Sequence, residues 1–258
     1  MYKISVITIC YNAEKVIERT MLSVLNQTFG NIEYVVLDGG SNDATVDIVK
    51  KIISTYPQRN IVFKSEPDDG IYDAMNKAIK MASGEWLSIM NAGDIYTSND
   101  VLERVFQIAI PQSKTVLYSD NYMSLLDGRR VLVSNHLEKR VDSFNHQSIV
   151  YKRSLHSEYG YYVHLNKLII SDTLFFASIP DRQKMKIHDV VIADYAEGGA
   201  SCKAGYSIFK QNLCAEYIYK DSSFFHIFVA YYKRRIKEVL FPKKVRQCIK
   251  HLLKKVCI

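Results

Sequence analysis

The chain has 258 residues, 48% of them hydrophobic, and a formal net charge of +7. That length fits one large domain, or one domain with an appendage, and the apolar share is enough for a sizeable core. No run approaches the ~18 to 20 uninterrupted apolar residues of a membrane-spanning helix, and the strand-like opening KISVITIC predicts no cleaved leader. The five cysteines (Cys10, Cys202, Cys214, Cys248, Cys257) form no CxxC pair and no metal-ligand spacing. A scattered odd set predicts reduced thiols in a cytosolic protein. The charge is uneven. Residues 225–258 hold ten Lys/Arg against one acid, and the rest of the chain holds 24 against 26. A slightly acidic body with a basic tail predicts a tail that meets a polyanionic surface. With no nucleic-acid reader motif and no basic body, nucleic acid is not the expected partner.

In chain order, residues 3–10 are apolar and β-branched, a first strand. Residues 14–27 read as a helix with Val16, Ile17, Met21, Val24 and Leu25 on one face. A second buried strand, 32–37, ends at Asp38, and Asp43 is placed to cap a helix over 44–56. A third strand covers 61–64. Ile71, Ala74, Met75, Ala78, Ile79 and Ala82 then follow at helical spacing, and Gly84 stands where a helix end prefers glycine. Trp86, Leu87, Ile89 and Met90 form an inner strand that stops at Asn91-Ala92-Gly93-Asp94. This β-α-β-α-β-α-β order predicts a parallel sheet with helices on both faces. Later come a helix over 99–109, a strand over 115–119, and a hairpin of 121–126 with 129–134 around Asp127-Gly128. His146-Gln147-Ser148 precedes an apolar run, Ser171-Asp172-Thr173 opens a short helix, and 186–193 reads as one strand leading to Gly198-Gly199-Ala200-Ser201. A helix over 204–220 closes the body. Expected boundaries are 1–221 for the domain, with a nucleotide-sugar half at 1–97 and an acceptor half at 98–221, and 222–258 for a basic amphipathic helical tail.

Polar groups follow several strand ends: Tyr11 and Asn12, Asp38, Glu66 and Asp69, and Asp94. The carboxyl edge of an open α/β sheet is where ligands bind. No GxGxxG follows the first strand and no GxxxxGK[ST] occurs anywhere, which argues against a dinucleotide or P-loop enzyme. Without a glycine cradle a bound diphosphate needs another counter-charge, and a divalent cation on carboxylate oxygen supplies one. Asp94 is the candidate ligand.

VITICYN at 6–12, LDGGSNDAT at 37–45, SEPDDGIYDAMNKAIKMASGEW from 65, MNAGD at 90–94, NHQSIVYKR at 145–153, Asp172 in IISDTLFF and EGGAS at 197–201 appear in that order. Together they resemble the family 2 glycosyltransferases, covering roughly residues 1–205, and most of all the bacterial members that build capsule, exopolysaccharide or lipopolysaccharide units. The resemblance implies the GT-A fold, a Rossmann-like α/β architecture with a mainly parallel sheet. It also implies an inverting, metal-assisted transfer from a nucleoside-diphosphate sugar, foremost a UDP-sugar, with Mg2+ or Mn2+. By the same resemblance Asp38 contacts the base, Tyr11 and Asn12 line base and ribose, Asp94 holds the metal and Asp172 is the general base. Asn91 and Gly93 stand where many relatives carry Asp, so Asp94 is left as the one side-chain ligand of the motif.

Other candidates have plainer readings beside the functional one. Asp69 and Gly70, with Glu66, suit a tight turn or a donor contact. Asn76 and Asp73 begin a helix, where Asp73 favours the positive end. His146 and Gln147 match the family's HQ pair and line the site or support the strand behind them. Gly198, Gly199 and Ser201 are a loop or a lid over the donor. Asn91, Ala92 and Gly93 form the donor-side wall. In the tail, Val245, Ile249, Leu252, Leu253 and Val256 make an apolar stripe, which suits a helix packed on the body with a solvated basic face or, the favoured expectation, a helix on an anionic membrane surface at the inner face of the cytoplasmic membrane. A saccharide or lipid-linked acceptor fits that placement. The competing classes are a sugar-phosphate nucleotidyltransferase, disfavoured by the lack of a Gly-rich basic loop near the start, and a membrane-associated protein with a dead nucleotide site.

Overall fold

The computed structural model describes residues 3–137, 145–165, 168–196, 211–215, 218, 228–229 and 231–232. β1 (Ile4–Cys10) buries all seven of its residues. Ile4 and Val6 join one core, Ile7 and Ile9 the other, because successive side chains of a strand point to opposite faces. A strand covered on both sides needs this continuous apolar run. Then come α1 (Ile17–Leu25), β2 (Ile32–Asp38), α2 (Thr45–Thr55), β3 (Asn60–Ser65), α3 (Ile71–Met81) and β4 (Trp86–Ile89), in the expected order. Helix α1 starts three residues later than its apolar spacing suggests. Glu14 is tied to the neighbouring loop instead: its N–H donates to Asp43 Oδ2 and its Oε2 accepts from Ala44 N–H.

Gly84 does not end α3 in a left-handed turn, as its position suggested. Its N–H donates to Ser5 Oγ, and a Cβ there would lie 2.5 Å from the Ser5 backbone nitrogen. The glycine is needed for close approach to β1, where the buried Glu33 also gathers Ser5 and Ser83.

The second half supplies β5 (Ile95–Tyr96), α4 (Val101–Gln107), β6 (Val116–Tyr118), β7 (Asn121–Ser124), β8 (Arg130–Val133), a 3-10 turn (His146–Ser148), β9 (Ile149–Lys152), α5 (Leu155–Tyr159), α6 (Ser171–Ser178), β10 (Lys184–Lys186) and β11 (Ala193–Ala196). The seven-stranded sheet runs β10-β6-β9-β4-β1-β2-β3, parallel except that β9 is antiparallel to both neighbours. The expected hairpin is present as β7 and β8, and it joins β5 and β11 in a second sheet, β5-β11-β7-β8. The single strand read over 186–193 is two strands in different sheets. Ile187, Val190 and Ile192 are buried between them, so the apolar run packs in the core without continuous pairing. Of the helix read over 204–220, the described residues 211–215 and 218 are helical, and the rest lies outside the described residues.

Two cores sandwich the sheet. One packs α1, α2 and α4 on Val6, Val36 and Trp86, and the other packs α3 and α6 on Ile7, Val35 and Leu87. His156 of α5 lies in the second, stacked on Phe175 at 4.5 Å and Tyr161 at 5.3 Å. Its Nδ1 donates to Gly160 O, and its Nε2 accepts from Tyr151 OH. Burial pushes its pKa down from 6.5 to about 4. Between those values the unfolded chain binds the extra proton, so this contribution is complete above 6.5 and is lost as pH falls toward 4. The shift corresponds to about 3 kcal/mol. In urea unfolding at about pH 7 and about pH 4.5, His156→Gln should lose less stability on acidification than the parent chain; an equal loss would remove His156 as the cause.

Candidate active site

The strand order places a switch between β1 and β4: from β1 the chain builds outward through β2 and β3, then returns to β4 on the other side. The crevice beyond the carboxyl ends of such strands is the favoured ligand site of an open α/β sheet. Tyr11 and Asn12 leave β1 there, and Asn91 to Asp94 leave β4. Because β9 is antiparallel, with Ser88 opposite Val150, the residues just before β9 reach the same edge. That is why His146 and Gln147 meet the end of β4.

The β1 and β2 loops are laced together. Asn12 N–H donates to Ser41 Oγ, Asn12 Oδ1 accepts from Asn42 N–H, and Ala13 N–H donates to Thr45 Oγ1. Asn12 has φ +47°, a conformation that asparagine tolerates better than most residues. Tyr11 projects from this frame, 59% exposed. Asp38 is fully buried and accepts from Gly40 N–H, Ser41 N–H, Ser41 Oγ and Ser65 Oγ. Burial alone would raise its pKa, but the Ser41, Ser65 and Gly40 hydrogen bonds outweigh it and hold the carboxyl below its ordinary value. Asp38 thus organises the loop under Tyr11. Its neighbour Gly39 is covered by Asp68, whose Oδ2 lies 2.3 Å from where a Cβ would stand, with Tyr11 Cδ2 at 3.5 Å. Asp68 also accepts from Gly70 N–H. Sequence reasoning chose Asp69 and passed over Asp68.

At the other side of the switch, Asp94 is 8% exposed and accepts from Gln147 Nε2 at 3.0 Å. Burial pushes its pKa up to about 6, and the Gln147 hydrogen bond only partly opposes this. His146 Nδ1 lies 2.8 Å from Asp172 Oδ2, and His146 Nε2 lies 3.1 Å from Asn91 Nδ2. Asp172, in the first turn of α6, accepts at Oδ1 from Tyr72 OH and Thr173 N–H. Its burial would raise the pKa, but His146, Tyr72 and Thr173 outweigh it and keep the carboxyl below its usual value. Asp94 and Asp172 are therefore joined through two adjacent residues, Gln147 and His146. Asn91 Oδ1 is buried and has no partner.

The remaining candidates are placed as follows. Glu66 pairs with Lys64 at 2.6 Å, and its N–H donates to Asp38 O. Asp69 is exposed, and its carbonyl accepts from His164 Nε2. Gly70 leads into α3 with φ +112°. Asn76 is engaged at both amide atoms by the Tyr162 backbone, so its bonds serve that segment. Ala92 N–H donates to Ile9 O. Gly198, Gly199 and Ser201 lie outside the described residues.

Residues 5–166 match the model of the family described as Glycosyl transferase family 2. The chain belongs to glycosyl transferase family 2. The PGL/p-HBAD biosynthesis glycosyltransferase of Mycobacterium bovis (strain BCG / Pasteur 1173P2) is 32% identical over 202 residues, 76% of this chain and 77% of that one. An uncharacterised glycosyltransferase of Haemophilus influenzae is 32% identical over 119 residues, 46% of each chain. Among solved structures, S. aureus TarS in complex with UDP-GlcNAc gives a TM-score of 0.65 at 19% identity, over 94% of this chain and 74% of that one. The mannosyltransferase PcManGT from Pyrobaculum calidifontis, in complex with GDP-Man and Mn2+, gives 0.63 at 19% identity, over 82% and 61%. At these identities the likeness establishes the fold, which is the GT-A α/β fold.

In this family 2 glycosyltransferase the departure at Gly93 has a backbone cause. Gly93 has φ +106°, and its N–H donates to Thr20 Oγ1 at 2.8 Å. An aspartate there would be strained. Among the described residues no group of three or more His, Cys, Asp or Glu could hold a metal ion. The donor chemistry still suits Mg2+ or Mn2+, which take hard oxygen ligands and retain waters. Asp94 is a buried carboxylate with no Lys or Arg ion-paired to it among the described residues, and its raised pKa marks a place short of positive charge. Asp94 thus offers a buried hard oxygen of the kind such a cation takes. No helix of the described residues is long and apolar enough to cross a membrane.

Proposed function

We propose that this glycosyltransferase moves a sugar, with inversion, from a nucleoside-diphosphate sugar to a hydroxyl of a saccharide or lipid-linked acceptor in bacterial surface polysaccharide synthesis. A UDP-sugar is the first donor to test, since a neighbour of the same fold is known in complex with UDP-GlcNAc. The observation that carries the reading is the bridge from Asp94 through Gln147 and His146 to Asp172. On this reading one carboxylate serves the diphosphate side and the other the acceptor side of a single crevice.

Tyr11, with Asp68 and Gly39 beside it, forms the wall against which the base lies. Asp94 would hold Mg2+ or Mn2+, which would supply Lewis-acid stabilisation of the leaving diphosphate. Gln147 orients the Asp94 carboxylate through Oδ2. Asp172 remains ionised at neutral pH and takes the proton of the acceptor hydroxyl as that oxygen bonds to the anomeric carbon. The bond from that carbon to the diphosphate breaks on the opposite face. One displacement inverts the centre and requires no covalent sugar–enzyme intermediate.

A panel of NDP-sugars, assayed with and without Mn2+ and with a lipid-linked acceptor, tests the activity. Metal-stimulated turnover of at least one donor is expected; no turnover of any donor sinks the enzyme reading. The tail, 222–258, lies almost wholly outside the described residues, and its membrane role rests on charge and apolar spacing alone. Removing residues 225–258 should weaken sedimentation with phosphatidylglycerol vesicles while leaving nucleotide binding in place. Unchanged sedimentation would reject the membrane role, and with it the peripheral location at the cytoplasmic membrane.

A further inference from the structure

The asparagine of the MNAGD motif has a use beside the base. His146 touches two groups through its two ring nitrogens: Asp172 Oδ2 at Nδ1 and Asn91 Nδ2 at Nε2. An ionised carboxylate only accepts, so the Nδ1 of His146 must carry a proton. The amide nitrogen of Asn91 only donates, so the Nε2 of His146 must be bare. The two contacts together are met by one imidazole form, the neutral Nδ1–H tautomer. We propose that Asn91 and His146 are positioning residues for Asp172: the Asn91 amide locks His146 as the Nδ1–H tautomer, and that N–H holds the carboxylate in place.

This rests on the reading of Asp172 as the base, and it gives the Asn91 departure a purpose. An aspartate at 91 has no hydrogen to give. It would face Nε2 with an acceptor, and the imidazole would need a second proton. A cation would then stand against Asp172, and an opposite charge beside a carboxylate disfavours proton uptake. Asparagine keeps the ring neutral, so Asp172 is held by a hydrogen bond without a full positive charge against it. The rest of the shell agrees with a held carboxylate. Tyr72 OH and Thr173 N–H fix Oδ1, leaving His146 as the group that fixes Oδ2. The His146 and Asp172 side chains are 14% and 15% exposed, so water does little to blur these bonds. Both residues of the lock come from the end of β4 and the turn before β9, which the antiparallel β4–β9 pairing brings side by side.

The test is the nitrogen spectrum of the full chain labelled with 15N-histidine, with His146→Gln to assign the signal, together with steady-state kinetics. In the parent chain the His146 ring should show a protonated Nδ1 and a bare Nε2. Asn91→Asp should give a ring protonated at both nitrogens, and Asn91→Ala a mixture of tautomers. Both variants should lose at least about 10-fold in kcat at saturating donor and acceptor, with donor KM changed by less than about 3-fold, a share of what a general base contributes. Thermal unfolding of both variants checks that they fold, and Asn91→Ala serves if Asn91→Asp does not. A parent ring protonated at Nε2, or at both nitrogens, overturns the proposal. So does a folded Asn91→Ala with the parent spectrum or the parent kcat. If the parent ring is the Nδ1–H form and no NDP-sugar is turned over, the lock stands and the glycosyltransfer reading is what fails.

Discussion

Asp172→Asn should bind donor as the parent chain does and lose about 10²- to 10⁴-fold in transfer, the share a positioned general base contributes. The substitution is close to isosteric. An amide oxygen at 172 can still accept from His146 Nδ1–H, while the amide nitrogen takes the place of the oxygen that accepts from Tyr72 OH and Thr173 N–H, so the proton acceptor goes and one side of the support goes with it. Donor KM should stay near its parent value, and the thermal midpoint should fall with the loss of the acceptor for Tyr72 OH and Thr173 N–H. A variant with parent kcat would exclude Asp172 as base. A variant that fails to bind donor would place Asp172 on the donor side of the crevice instead.

Asp94→Ala should abolish the effect of metal. For the parent chain, Mn2+ at about 100 times its dissociation constant should stabilise the fold by about 2.7 kcal/mol, because a ligand that binds only the native state shifts unfolding by mass action. The variant should show no such shift, and its transfer should fall by at least about 10²-fold, since Lewis-acid stabilisation of the leaving group is worth several kcal/mol. Without metal the variant should be no less stable than the parent at neutral pH. Asp94 is a buried carboxylate with a pKa pushed up to about 6, so ionising it above that pH costs stability in the folded chain. Full parent activity after exhaustive chelation would remove the metal from the mechanism, and Asp94 with it.

The sequence made the β-α units readable because each inner strand is apolar on both faces and each helix on one. β1 and α3 follow those periods almost to the residue. It failed where an apolar run packs without pairing: the stretch from Lys184 to Ala196 carries two strands of different sheets with core residues between them. The helix that presents Asp172 was legible in Ser171-Asp172-Thr173, although its N-cap is Ile170 with no side-chain cap bond, and the partners of Asp172 were not legible. Tyr72 is 100 residues away and His146 is 26, and only the sheet order brings them together. Asp68 and Asp69 look alike in sequence. What separates them is direction: Asp68 folds over Gly39, while Asp69 stays exposed. Gly93 and Asn91 read as losses from a metal motif. Gly93 answers a positive φ, and Asn91 answers a histidine nitrogen.

The configuration of the product's new glycosidic bond, read from the anomeric proton coupling in its NMR spectrum, bears most directly on a single displacement with Asp172 as the base. From an α-linked nucleotide sugar the expected product is β-linked, formed by the parent chain and reduced by about 10²-fold or more in Asp172→Asn. An α-linked product would contradict the one-base displacement.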